Sequence, residues 1–380
     1  MKKLIRLTTA DISLNLLLKG QLRFLNQTYE VVGVSSDTGL LAGVGEREGI
    51  RTVEVPMHRE IALGADLVCL WKLFRLFRKE RPFILHANTP KGSLLAMIAG
   101  WLARVPHRVY TVTGLRYQGA TGKLRWVLKT MERLTCCFAT KIVPEGRGVQ
   151  QALRQEKITR KPLEILHYGN INGVDTDYFC PDASLRAQER MRLGFGDDDF
   201  VFIFIGRIVG DKGMNELAWA LQQMSDIHPH VRLLLVGPFE SELDPLEGDN
   251  EHFFRNSPIV KYVGYQSDVR PFLAAADALV FPSYREGFPN VVLQAGAMGL
   301  PAIVTDINGC NEVITDGENG RIIPPRDRQA LLDMMTSFVE HSDEIALMAA
   351  RARAVVCARY DQKDVWQALL KMYESFNDKR

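Results

Sequence analysis

No stretch of the 380 residues is apolar for long enough to cross a bilayer. The run Leu14–Leu18 falls far short of the roughly 20 residues a spanning helix needs. Cysteine is scarce and unpatterned: the six, at 69, 136, 137, 180, 310 and 357, form no Cys-x-x-Cys pair and no metal-ligand spacing. They read as reduced, mostly buried thiols of a cytosolic protein. The start, Met1-Lys2-Lys3-Leu4-Ile5-Arg6, is a short strand broken by a charge, with no small-residue cleavage site after it. No signal peptide is expected. Internal repeats and low-complexity segments are missing as well.

What is present is a charge asymmetry and a strand–helix alternation. Residues 1–168 hold 27 Lys and Arg against 13 Asp and Glu, a net of +14, and residues 169–380 hold 20 against 32, a net of −12. A basic half suggests an anionic partner such as a membrane surface or a phosphorylated lipid, or else halves that attract each other. Two helices carry basic and aromatic residues together. On one, Lys123, Lys129 and Arg133 share a stripe with Trp126, opposite Leu124, Val127, Leu128 and Met131. The other runs through Trp71, Lys72, Phe74, Arg75, Phe77, Arg78 and Lys79. Both can lie on an anionic leaflet or can be core-facing helices with a solvated back. No nucleic-acid module is recognised, so nucleic acid is not expected as a partner.

Short β-branched runs alternate with helical patterns throughout, the signature of α/β folds with parallel sheets. The predicted strands include 3–9, 29–35, 83–87, 108–112, 163–166, 200–205, 231–236 and 278–282, and the predicted helices include 14–25, 62–79, 91–103 and 123–138. A Gly/Asn-rich linker, Gly169-Asn170-Ile171-Asn172-Gly173-Val174-Asp175, separates two series. The predicted domains are 1–168 and 169–360, with a C-terminal helix at about 361–380 returning to the first. Two doubly wound sheets facing across a cleft give two half-sites at the carboxyl ends of their strands.

Two stretches carry the chemistry. Ile205-Gly206-Arg207-Ile208-Val209-Gly210-Asp211-Lys212-Gly213 follows the first strand of the second series, placing two cations and a Gly-rich turn where a diphosphate can sit. In Pro282-Ser283-Tyr284-Arg285-Glu286-Gly287-Phe288-Pro289-Asn290 a strand ends near a carboxylate and a proline starts a helix. The N–H groups of that helix suit a phosphate or sugar hydroxyl.

With Asp306-Ile307-Asn308-Gly309, Glu312, Asp316-Gly317 and Asn319-Gly320, these stretches resemble the family-four retaining glycosyltransferases, whose fold is the two-Rossmann GT-B architecture. The linker's Asn172-Gly173-Val174-Asp175 is similar to that family's element. His86-Ala87-Asn88-Thr89-Pro90-Lys91 is similar to the His-x-x-x-Pro-Lys segment of members that build bacterial surface polysaccharides. The resemblance implies a cytoplasmic, peripheral membrane enzyme of capsule or surface polysaccharide synthesis. It would move a hexosyl or N-acetylhexosaminyl group, with retention, from a UDP-sugar to a glycan acceptor on polyprenyl diphosphate. It also implies that Arg207 and Lys212 bind the donor diphosphate and Glu286 the donor sugar, beside Gly206, Gly287, Phe288, Asn290 and Val291. Gln294 would reach the ribose, and the base would lie against Val263-Gly264-Tyr265. The leaving phosphate helps to deprotonate the acceptor, so no protein nucleophile is needed. The nucleotide sugar is a co-substrate, and no cofactor or metal is expected, since no cleft-facing Asp-x-Asp pair occurs.

Three departures stand out. The second Glu of the family motif is Gln294, the usual His before Gly114 is Thr113, and the loop 8–13 lacks a Gly-Gly pair. Acceptor-side candidates are Asp11, His86, Lys91, Thr113 and Arg116. His86 is either a packed histidine or a substrate contact, and Asp11 either a helix N-terminal residue or a catalytic one. Two other functions remain open: a GT-B nucleotide-sugar epimerase, and a non-catalytic nucleotide-sugar-binding partner of another transferase.

Overall fold

A strand buried on both faces tolerates few polar residues, so parallel sheets read as near-continuous apolar runs. The computed structural model, which describes residues 1–58 and 62–377, contains two such sheets. The first unit comprises residues 1–173 and the chain from Gln362 onward, and the second comprises Val174–Asp361. In the first, β1 (Lys3–Ala10), β2 (Glu30–Ser36), β3 (Arg51–Glu54), β4 (Ile84–Ala87), β5 (His107–Val112) and β6 (Lys141–Pro144) form a parallel sheet of order β3-β2-β1-β4-β5-β6. The second repeats that pattern with β7 (Phe200–Ile205), β8 (Val231–Val236), β9 (Val260–Gly264), β10 (Ala278–Phe281), β11 (Ala302–Thr305) and β12 (Gly320–Ile323), ordered β12-β11-β10-β7-β8-β9. Both are doubly wound, with the direction of winding reversing between β1 and β4 and between β7 and β10.

Right-handed crossovers put the helices after β1 and β2 on one face and those after β3, β4 and β5 on the other. Separate apolar cores follow. Ile5, Leu7, Leu73, Phe77 and Leu85 belong to one, and Leu4, Leu14, Leu22, Leu369 and Tyr373 to the other. The return helix Gln362–Glu374 therefore packs within the first unit. The last three residues of the predicted 361–380 stretch lie outside the described residues.

Three expectations need correction. The helix predicted over 14–25 is two helices, Asp11–Leu17 and Gln21–Leu25. Glu48 accepts hydrogen bonds from the Gly20 N–H and the Arg23 N–H (3.0 Å each), and Gly20 sits at φ +80° with no room for a Cβ beside Trp366. The strand predicted over 163–166 is a loop touching Ile142 only at Leu163, because Pro162 before it offers no N–H to a ladder. The domain boundary falls after Gly173, not after 168. Asn172 Oδ1 accepts from Gln21 (3.1 Å) and Trp366 (2.7 Å), and its amide nitrogen donates to the Lys19 carbonyl (3.1 Å). The asparagines of the supposed linker are thus fastened into the first unit. All six cysteines are free, but only Cys69, Cys136 and Cys310 are buried.

Glu132 is a buried acid of the helix Gly122–Phe138, accepting a 2.8 Å bond from the Tyr110 hydroxyl. Burial pushes its carboxyl up to about 7, against the downward pull of Tyr110. The folded state favours its protonated form, so this stability is complete below pH 4.5 and is lost as pH rises through about 7. Glu132→Gln is expected to melt higher than the parent at about pH 8 and alongside it at about pH 4.5. A melting difference that is the same at both pH values would refute this.

Candidate active site

Open α/β sheets bind ligands outside the carboxyl ends of their strands, where the winding reverses. In the second unit that point lies between β7 and β10, and the residues following each strand meet there. After β7 the chain closes a 3₁₀ turn, Gly210–Lys212, and Gly213 follows at φ +71°. A Cβ on Gly213 would stand 2.2 Å from the Pro282 carbonyl oxygen, so only glycine lets this turn rest against the loop after β10. The two loops are then tied together. Lys212 Nζ pairs with Glu286 Oε1 and lies 3.5 Å from the Ser283 hydroxyl. Ser283 donates to the same Glu286 oxygen at 3.2 Å. The Tyr284 N–H donates to the Asp211 carbonyl (2.9 Å), and Arg285 pairs with Asp211 (2.9 Å).

The other donor-side residues surround this core. Arg207 is exposed and pairs with Glu240 at 3.1 Å, in the loop after β8. Gly206 donates its N–H to the Val236 carbonyl (3.0 Å). The helix Asn290–Ala297 begins after Pro289 without a side-chain N-cap. Val291 and Gln294 are half-buried on it. The Phe288 ring is buried in the core, 5.5 Å from Tyr360, so only its backbone faces the loop. Val263 is the extra residue of a bulge in β9, because Leu235 pairs with Tyr262 and Val236 with Gly264. Asn319, part of the recognised motif, is structural: its side chain accepts from the Thr315 N–H (2.7 Å) and donates to the Val313 carbonyl (3.0 Å).

Sequence reasoning missed Ser283 and Glu240. Ser283 stood inside the quoted run as the first small polar residue beyond β10, which was a usable signal. Glu240 had none, because only the packing of two strand ends brings it to Arg207.

In the first unit the acceptor-side candidates are mostly committed to structure. Asp11 is buried, and its carboxylate accepts from Ile12 N (2.8 Å), Thr38 N (2.7 Å), Thr38 Oγ1 (2.7 Å) and Leu40 N (3.0 Å). Burial would raise its pKa, but these bonds outweigh it and the net shift is downward. It opens the helix Asp11–Leu17 and clamps the loop after β2, leaving no oxygen for catalysis.

Of the two readings open for His86, the structure shows the packed histidine, 1% exposed. Arg6 Nη1 donates to its Nδ1 (2.9 Å), so Nε2 carries the proton and donates to Thr111 (2.7 Å). Complete burial, reinforced by the Arg6 cation, holds its pKa well below the usual range. Lys91 is buried and pairs with Asp66 at 2.6 Å. Thr113 donates to the Asn88 carbonyl (2.8 Å), and Arg116 is exposed on the 3₁₀ turn Arg116–Gly119.

Both units are doubly wound, and the second carries Arg207, Lys212 and Glu286 just beyond β7 and β10. The crystal structure of HepE from Anabaena with UDP and glucose superposes with a TM-score of 0.85 at 21% identity, covering 99% of this chain and 100% of that one. This is the GT-B architecture. The family described as glycosyl transferases group 1 matches residues 199–341, and the glycosyl transferase 4-like domain matches 23–169. The capsular polysaccharide biosynthesis glycosyltransferase CapM of Staphylococcus aureus is 30% identical over 99% of this chain and 97% of its own. An Escherichia coli UDP-Gal:alpha-D-GlcNAc-diphosphoundecaprenol alpha-1,3-galactosyltransferase is 26% identical, covering 83% and 81%. The chain belongs to the family-four glycosyltransferases, of the bacterial surface-polysaccharide type.

Proposed function

We propose that this glycosyltransferase moves a hexosyl or N-acetylhexosaminyl group from a UDP-sugar, with retention, to a glycan carried on polyprenyl diphosphate. The setting is capsular or surface polysaccharide synthesis at the cytoplasmic face of the membrane, with the enzyme held there peripherally. The observation that carries the reading is the Lys212–Glu286–Ser283 cluster at the β7/β10 switch point. Lys212 and Arg207 stabilise the charge that develops on the departing diphosphate, without a bridging metal. Glu286 accepts from donor-sugar hydroxyls, and the leaving phosphate takes the acceptor proton as the new bond forms on the same face. A uridine donor is supported by the UDP complexes of HepE and by the UDP-sugar in the Escherichia coli relative's name. That relative and a Campylobacter jejuni one, 25% identical, are named for diphospho-undecaprenol acceptors.

A thermal-shift panel of nucleotides and nucleotide sugars on the purified protein tests it. UDP and one UDP-sugar are expected to raise the melting temperature while adenosine and guanosine diphosphates leave it unchanged. Gln294→Glu places a carboxylate where the ribose diol is expected, and its charge-assisted bonds should tighten UDP by about tenfold. A panel without any uridine-specific shift, or a Gln294→Glu variant that binds UDP no better, would count against this donor site.

A further inference from the structure

The helices Leu63–Glu80, Pro90–Leu102 and Gly122–Phe138 pack side by side in that order as one layer over the first sheet. Residues 62–144, which contain this layer, hold 14 Lys and Arg but only three acids, Asp66, Glu80 and Glu132. None of the three is exposed. Asp66 pairs with Lys91 (2.6 Å), Glu80 with Lys3 and Arg51 (2.6 Å each), and Glu132 with Tyr110. Within residues 62–144, then, no carboxylate is exposed, while Lys72, Arg75, Arg78, Lys79, Lys123 and Arg133 are.

Large apolar side chains share that layer. Leu63, Leu67 and Trp71 follow each other at four-residue spacing on the first helix and are 78%, 68% and 56% exposed. Arg75 continues the stripe, with its guanidinium 4.8 Å from the Trp71 ring. Leu124 and Trp126 (67% exposed) open the third helix, and Trp101 ends the second. Among the described residues the three exposed tryptophans all lie on this layer. The sequence pattern had placed Leu124 on the inner side and Lys129 on the outer stripe. Instead Leu124 faces water and Lys129 pairs inward with Glu156.

We propose that this three-helix layer is the face by which the enzyme binds an anionic bilayer. Leucine and tryptophan enter the headgroup boundary, and the basic side chains meet lipid phosphates. A protein partner would leave the aliphatic stripe needing an apolar patch ringed by acids, and a nucleic acid has nothing to take up Leu63 and Leu67. A leaflet of anionic lipid supplies both chemistries at once. The proposal rests on the functional reading above only for the membrane as its setting.

The test is co-sedimentation of the full chain with phosphatidylglycerol–phosphatidylethanolamine vesicles and with phosphatidylcholine vesicles. Partition onto the anionic vesicles, weakened by salt, is expected. The triple variant Lys72→Gln/Arg75→Gln/Arg133→Gln should partition roughly a hundredfold less, as three lost surface attractions imply. Trp71→Ala/Trp126→Ala should also bind less while melting as the parent does. UDP-induced stabilisation, read on the same preparations, should be retained in both variants, so that failure of the donor site and failure of this face are told apart. Vesicle binding that is absent, or is unchanged in the triple variant, overturns the proposal. So does retention on heparin without vesicle partition, which would make the face a general polyanion surface.

Discussion

Lys212→Ala is expected to lower kcat for sugar transfer by about a hundred- to a thousandfold, the range seen when one preorganised group that stabilises developing charge is removed. Two features of the site put the effect there instead of near the small values typical of surface ion pairs. The Lys212 side chain is only 13% exposed, so its field reaches the diphosphate with little solvent screening. Its position is also fixed before substrate arrives, by the Gly213–Pro282 contact and by the bonds between Asp211 and the loop after β10. No reorganisation is then needed as charge moves onto the leaving phosphate.

The same substitution has a second consequence. Glu286 loses its cation and keeps only the Ser283 hydroxyl, which leaves a negative charge beside an anionic ligand. UDP affinity should therefore fall along with kcat. The double variant Lys212→Ala/Glu286→Ala should bind UDP better than Lys212→Ala alone, because the stranded carboxylate is gone. It should stay inactive, because neither the diphosphate nor the sugar is held. Such non-additivity is the mark of residues that act as a unit. Steady-state rates and titration calorimetry with UDP on the four proteins decide it. A Lys212→Ala enzyme within about threefold of the parent would remove Lys212 from the mechanism, since the smallest effect expected is far larger.

Much of this site was legible because the information was local. Strand ends in an α/β alternation can be read from where apolar runs stop. The residues just beyond β7 and β10 are the ones the fold delivers to the switch point. Arg207, Lys212 and Glu286 were therefore placed beyond β7 and β10 from position and charge, with the family resemblance adding the roles proposed for them. What escaped was set by partners far away in sequence. The break at Gly20 depends on Glu48 and on Trp366, and neither belongs to the helical period around Leu14. His86 and Asp11 have residue types that suit catalysis. Their commitment to Arg6, Thr111, Thr38 and Leu40 is decided by β1, β4, β5 and the loop after β2 packing together. Residue type announces what a side chain can do, and burial decides whether it is available to do it.

Gly237→Ala is expected to be the most damaging single methyl group in the second unit. The residue directly follows β8 and sits at φ +139°, a region that side-chain-bearing residues rarely enter. A Cβ there would lie 1.8 Å from the Gly206 carbonyl oxygen and 2.8 Å from its carbon. Both obstacles are backbone, so no rotamer change relieves them. The Gly237 N–H also donates to the Gly264 carbonyl (2.8 Å), which pins it from the β9 side. The conformational cost of about 1–3 kcal/mol and a comparable overpacking cost should together lower the melting temperature by roughly 5–15 °C. The displacement would be passed to Gly206 and hence to Arg207, so UDP should stabilise the variant less than it stabilises the parent. Gly43→Ala is the control. That glycine lies in the helix Leu41–Glu48, has no heavy atom within 4 Å of its would-be Cβ, and should melt at or slightly above the parent. Equal melting of the two variants would mean that β7 and β8 can part at their carboxyl ends without cost. Arg207 could not then be regarded as rigidly placed.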